Sequence, residues 1–294
     1  MHIKNSALIT IFIAFGMIAK ESEKWVDNKV EIIKIGNFAL PLSQQPSPLF
    51  SFGQNLVDKG DFLAFGIYEQ IKGPQLNFIT VVPSILYGLT DKMSLYIEVP
   101  VAAKFMYQGA RSSGLEDVVV QLEQVLYAHE TPISVNEITI VGHISFPTGS
   151  TKKSPATGFG GPTFFLGFTL SRTKTDWYYF GGLGGLITTF HKGTKFGNGF
   201  FYQGGVGRNI AYKTDKWLLN WLVEIDGTYR QRDTVCNAIE CNSGGSIITI
   251  GPSVFFGTQR FEMDGGIAAV VDQHLFGSQA KNHFAVEFYA GWKF

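Results

Sequence analysis

The C-terminal stretch Asn282 to Phe294 constrains this chain more than any other. Apolar side chains recur at every second residue, at Phe284, Val286, Phe288, Ala290, Trp292 and Phe294. Between them stand His283, Ala285, Glu287, Tyr289, Gly291 and Lys293. A period of two describes a β-strand whose faces meet different surroundings. In a soluble sandwich, a terminal strand this rich in aromatics would leave a sticky edge. A closed transmembrane barrel has no edge, and its outer face meets lipid with aromatics banded at the interfaces.

The upstream chain repeats the pattern. Twelve strands are expected, at roughly Phe62–Ile71, Leu76–Gly88, Met93–Phe105, Asp117–Tyr127, Asn136–Phe146 and Pro162–Ser171. The later six are Trp177–Phe190, Phe200–Tyr212, Trp217–Arg230, Ser246–Phe256, Phe261–Val271 and His283–Phe294. Most match the ~9–11 residues a tilted strand needs to cross a bilayer. The joins give an independent test, because such barrels place short turns on one side and long loops on the other. Thr90–Lys92, Ala128–Val135, Arg172–Asp176, Lys213–Lys216 and Gly257–Arg260 are mostly tight. Met106–Glu116, Pro147–Gly161, His191–Gly199, Gln231–Gly245 and Asp272–Asn282 are longer. Only Lys72–Gln75 is short where a long loop is expected. An even strand count puts both barrel ends in the periplasm.

Parity then assigns the faces. Leu95, Ile97, Val99, Val101, Val118, Val120, Leu122, Ile138, Ile140, Ile144 and Phe146 fall outward. So do Phe164, Leu166, Phe168, Trp217, Leu219, Trp221, Val223 and Ile225. The inward face takes Glu98, Glu123, Glu137, His143, Glu224, Asp226, Arg230, Glu262, Asp264 and Glu287 as lumen-lining candidates, with Tyr96, Gln121, Ser145 and Lys293 beside them. An Arg or Lys facing mid-bilayer costs ~2–4 kcal/mol, so ionisable groups belong inside.

At the other end, His2 and Lys4 precede an apolar run from Ala7 to Ala19. The run is short of the ~20 residues of a spanning helix but suits a secretory signal peptide. Residues 1–19 are assigned to it and residues 20–60 to a periplasmic lead-in or lumen plug, since Pro41, Pro46 and Pro48 break regular structure there. Residues 61–294 form one barrel domain. Lys+Arg and Asp+Glu balance at 24 each, so nothing suggests a nucleic-acid partner.

The last strand, with Phe288, Trp292 and a terminal Phe294, resembles the signal read by the barrel-assembly machinery of Gram-negative bacteria. Further stretches carry a family likeness. Phe52-Gly53-Gln54-Asn55, Tyr87–Leu95, Glu98-Val99-Pro100, Gly114-Leu115-Glu116-Asp117 and Ile144–Ser150 resemble segments of the transporter-like outer-membrane proteins named for the MetA pathway of phenol degradation. The resemblance implies a channel or transporter for small, hydrophobic or aromatic molecules. The motifs also read as turns in their own right, and Phe52–Asn55 lies ahead of the first expected strand.

Several side chains invite chemistry. His143 and Ser145 share a strand face and are similar to the His-x-Ser pair of outer-membrane phospholipase A, but parity turns both inward where that enzyme faces lipid. Ordinary lumenal residues are the better reading. Glu224 and Asp226, near Arg230, suit a glycosidase-like pair, a cation-selective ring or, preferably, a lumenal ion-pair network. Cys236 and Cys241 share an expected outside loop, where a small disulfide suits an oxidising compartment. The runs Gly181–Gly185 and Gly204–Gly207 lack the GKS/T ending of a phosphate loop, so they read as room for bends or packed lumenal side chains. Lys152, Lys153, Lys192 and Lys195 are placed outside, in reach of lipopolysaccharide phosphates.

The sequence thus describes an all-β protein: a single antiparallel transmembrane up-and-down β-barrel of about 12 strands, porin-like and monomeric, in the bacterial outer membrane. Its expected partners are membrane lipid, lipopolysaccharide, the assembly machinery and a small-molecule solute, with no cofactor, no metal and no catalytic residue. The alternatives are a lipid-acting enzyme on His143 and Ser145, or a binding or structural barrel that does not transport.

Overall fold

The structure, a computed structural model, describes residues 30–294, so the expected signal peptide lies outside the described residues. Twelve antiparallel strands close into a barrel. They are β1 (Phe62–Gly73), β2 (Leu76–Thr90), β3 (Met93–Glu98, resumed at Val101–Tyr107), β4 (Ala110–Leu115, resumed at Val118–Thr131), β5 (Ser134–Phe146) and β6 (Thr163–Lys174). Then follow β7 (Trp177–Thr188), β8 (Gly199–Lys213), β9 (Trp217–Arg230), β10 (Gly245–Thr258), β11 (Phe261–Leu275) and β12 (Phe284–Lys293). Each strand pairs with its sequence neighbours, and β1 also pairs with β12 from Leu63↔Lys293 to Lys72↔Phe284. Closure leaves no ladder edge, which is what allows strands to cross a bilayer.

β3 breaks at Val99-Pro100 because proline has no N–H for the ladder, and Val99 donates its own N–H to Pro83 O at 3.0 Å. Both halves pair with β2. The expected long loop Met106–Glu116 is instead a hairpin, turning at Gln108-Gly109 where both φ angles are positive, 47° and 90°. Its polar sequence, Ala-Arg-Ser-Ser-Gly, carries no apolar period that would mark a strand, while backbone pairing needs none. Likewise Ala128–Val135 is mostly strand around a Pro132-Ile133 turn, and β11 runs on to Leu275. Both ends of the barrel domain meet at one rim, where the Phe62 and Phe294 rings lie 5.7 Å apart. The turns of that inner rim are short, and the long connections lie at the opposite, outer rim.

The outer wall is apolar. Leu166, Phe168, Leu170, Leu183, Ile187, Ile267 and Trp292 present about half of their surface outward. Such a belt is unfavourable in water and is what lipid requires.

Residues 33–61 run inside the cylinder. Ile33 N–H bonds Pro132 O at 2.9 Å and Lys34 pairs with Asp215 at 2.8 Å, both at inner-rim turns. The chain then enters the lumen, where Leu40 packs with Tyr178, Phe180, Leu218, Leu222 and Phe255. It returns to the rim at Val57, which packs on Leu63 and Leu86 beside the start of β1.

Candidate functional site

The site is this internal segment and the wall that holds it. Glu224 of β9 accepts the N–H groups of Leu49 (2.8 Å) and Phe50 (3.2 Å), one on each carboxylate oxygen. Asp226, two residues along the same face, accepts the Ser51 hydroxyl at 2.6 Å. From β8, Gln203 accepts Phe52 N–H at 2.9 Å and donates to Phe52 O at 2.6 Å, imitating a strand pair with its amide. Across the lumen, Glu123 of β4 accepts Gln54 N–H (2.8 Å), Asn55 N–H (3.0 Å) and the Thr139 hydroxyl (3.0 Å). An extended chain lacking a neighbouring strand must satisfy its buried N–H groups somewhere, and these carboxylates do so. Bonds to charged acceptors contribute about 1.5–3 kcal/mol each.

Two glycines make the fit possible. Gly53 (φ 80°) and Gln54 (φ 66°) are both left-handed, which aims two successive N–H groups at Glu123. A Cβ on Gly53 would stand 2.8 Å from the Thr169 methyl and 3.1 Å from Val141. On β7, Gly184 leaves room for the Phe165 ring, which a Cβ would meet at 2.4 Å. Phe165 in turn meets the Phe52 ring edge-on at 4.8 Å. Of the glycine run of β7, Gly182, beside Gln203, and Gly184 therefore serve lumenal packing.

The lumen holds two cavities. On the outer side is a cavity of about 740 Å³, lined by Phe78, Phe105, Tyr107, Phe159, Phe196, Glu116, Asp117 and Arg230 among others. On the inner side is a chamber of about 320 Å³ between the segment and the β1–β3 and β11–β12 wall. His143 lines both, stacked on Phe165 at 4.7 Å.

The remaining sequence-derived residues fall as follows. Glu98, Glu262 and Glu287 line the inner chamber. Glu137 stands opposite Ala128 and Ser171 on the inward face. Asp264 accepts the Ser253 hydroxyl at 3.5 Å, and its other oxygen has no hydrogen-bond partner. Lys293 sits at the inner rim on Ser43 (2.9 Å) and Asp61. Phe288, Trp292 and Phe294 point outward.

Arg230 lies over the Phe159 ring at 5.6 Å, in the outer cavity. It is six residues from Glu224, about 20 Å along an extended strand, so the expected ion-pair network does not form. The lumenal segment supplies the partners of Glu224 and Asp226 instead. His143 and Ser145 are not a catalytic pair in geometry, since the Ser145 hydroxyl bonds Thr163 at 2.6 Å and residues two apart on a strand stand ~7 Å apart.

The expected disulfide is likewise absent, and both cysteines are exposed free thiols. A small outside hairpin pairs Thr234 with Ile239 and Val235 with Ala238. Cys236 occupies its left-handed turn, while Cys241 lies past Ile239, beyond the opposite end of the ladder.

The outer motifs interlock. Asp117 accepts Gly149 N–H at 2.9 Å and Phe159 N–H at 2.7 Å, and Thr148 donates to Glu116 O at 2.6 Å. Parity alone did not single out Glu69 and Gln203, although both lie on inward positions of expected strands. Gln203 carries no charge to draw notice, and its role exists only because Phe52 arrives beside it.

The chain superposes on the COG4313 outer membrane channel from Pseudomonas putida F1 with a TM-score of 0.67 at 10% identity, covering 85% of this chain and 99% of that one. It shares its fold with an outer-membrane channel. Looser likenesses are to the NanC porin (TM-score 0.48, 11% identity, 79% of this chain and 100% of that one) and the KdgM porin (0.43, 9%, 79% and 99%). No family model and no curated protein matches the chain. The likeness to the MetA-pathway proteins thus rests on the short stretches quoted above. With its apolar outer belt and closed wall, the chain is a closed twelve-stranded antiparallel β-barrel of the kind that channel has.

Proposed function

We propose that this barrel is a passive outer-membrane channel for small solutes, and that the internal segment is its plug. The observation that carries the reading is the grip on residues 49–55 by Glu224, Asp226, Gln203 and Glu123 from facing walls. Held there, the segment fills part of the lumen and walls the smaller cavity. A chain tethered by a handful of hydrogen bonds, rather than woven into the wall, is the element most readily displaced. Five aromatic rings in the outer cavity favour an aromatic or otherwise apolar solute as the traffic. Those same rings would let such a solute partition into the entrance before the plug yields.

The test is planar-bilayer conductance of the full chain beside Glu123→Ala/Glu224→Ala and a deletion of residues 34–57. Loosening the plug should raise the mean current, and removing it should raise it further. Equal, negligible currents from all three would refute the channel and favour a non-transporting barrel. The enzyme reading has no geometric support at His143 and Ser145.

A further inference from the structure

The inner chamber holds an arrangement that plugging does not use. Glu69 of β1 and Glu287 of β12 are direct cross-strand partners on the inward face, across the seam that closes the barrel. Like charges so placed are destabilising. Neither carboxylate has a hydrogen-bond partner among the described residues, and both line the chamber. Glu98 and Glu262 line the same chamber, whose walls include no Lys or Arg. This differs from Glu123 and Glu224, whose oxygens are taken up by the plug.

A second, independent feature shares the space. Phe65 meets Tyr96 at 6.4 Å and Tyr289 at 5.8 Å, each edge-on at 86°, so three rings form a corner beside the acids. The Tyr96 hydroxyl is engaged by Ser84 at 3.2 Å and by Glu98, and the residue lines the chamber. Carboxylates alone would suit a bare metal ion or a hydrated cation. Aromatic faces together with carboxylates suit a cation carrying methyl or methylene groups, which gains from ring quadrupoles and from burial of its carbons. At about 320 Å³ the chamber is at the lower end of small-molecule sites.

The geometry points to a binding site for a small organic ammonium ion, held between Glu69 and Glu287 against the Phe65, Tyr96 and Tyr289 rings. The site does not depend on conduction, so its test is binding.

Isothermal titration calorimetry on the full chain in detergent would compare choline with its uncharged isostere 3,3-dimethylbutan-1-ol. Choline should bind at least about tenfold more tightly, a difference of ~1.4 kcal/mol. Glu69→Gln with Glu287→Gln should remove that preference by about tenfold, while Glu240→Gln in the outside loop should leave it intact. Heat-modifiable gel mobility would show that each variant is folded, and the choline-to-isostere comparison on the unaltered chain needs no variant at all. Equal affinities for the two probes, or a preference surviving the double change in a folded barrel, would overturn the proposal. So would full displacement of choline by equimolar potassium, which would mark an inorganic cation site. A barrel that binds choline without conducting would leave this site standing and remove the channel.

Discussion

Two sets of carboxylates share one lumen and one parity but live differently. Glu123 and Glu224 each receive two backbone N–H groups from the internal segment. Glu69 and Glu287 face each other across the seam and receive none. Residue type and strand position are the same in both sets. The difference is whether a stretch of unpaired backbone arrives, and it separates acids that hold structure from acids left free for a ligand.

The largest effect that would break this comparison comes from removing the arriving backbone. Deleting residues 34–57 should turn the gripped acids into free ones, raising mean conductance and cation preference together, both readable from reversal potentials in a salt gradient. If the current is unchanged, the segment does not limit passage.

Next comes removal of one gripping acid. Glu224→Ala leaves two buried N–H groups without acceptors, a loss of about 2–4 kcal/mol in segment docking. Amide exchange at Leu49 and Phe50 should accelerate by about two orders of magnitude for such a loss. Protection that persists would show the bonds to be incidental. Gly53→Val should cost about 1–3 kcal/mol by strain at φ 80° and by contact with Thr169 and Val141. Its signature would be faster exchange at Gln54 and Asn55 with an unaltered barrel.

Glu69→Gln sharpens the contrast from the other side. Because it relieves like-charge repulsion, it should leave stability unchanged or raise it by up to ~1 kcal/mol, measured by the urea midpoint in vesicles. A loss as large as that of Glu224→Ala would make the two sets equivalent and dissolve the distinction. The smallest effect concerns the outside hairpin, where Cys236 and Cys241 should each take one maleimide in non-reducing conditions with no change in barrel mobility.

Much of the wall was legible in the chain. Trp217–Arg230 is legible to the residue, because Trp217, Leu219, Trp221, Val223 and Ile225 keep one face apolar while Asn220, Glu224 and Asp226 stand on the other, with Leu218 and Leu222 among them. Ala110–Leu115 is not legible as a strand, because its alternation is faint and its hydrogen bonds come from β3. At the site, the inward placement of Glu123 and Glu224 followed from parity, but their partners did not. Those partners lie 69 and 175 residues away in sequence and make their contacts through main-chain atoms that every residue carries.

The alternation of oily and polar residues by itself determined most of the strands and their two faces, because side-chain direction in a strand depends only on counting by two. The path of residues 33–61, the grip on it, the free seam acids and the unbridged cysteines were decided only by tertiary structure. Each of those depends on which distant backbone or ring occupies the space beside a side chain, and no local period encodes that.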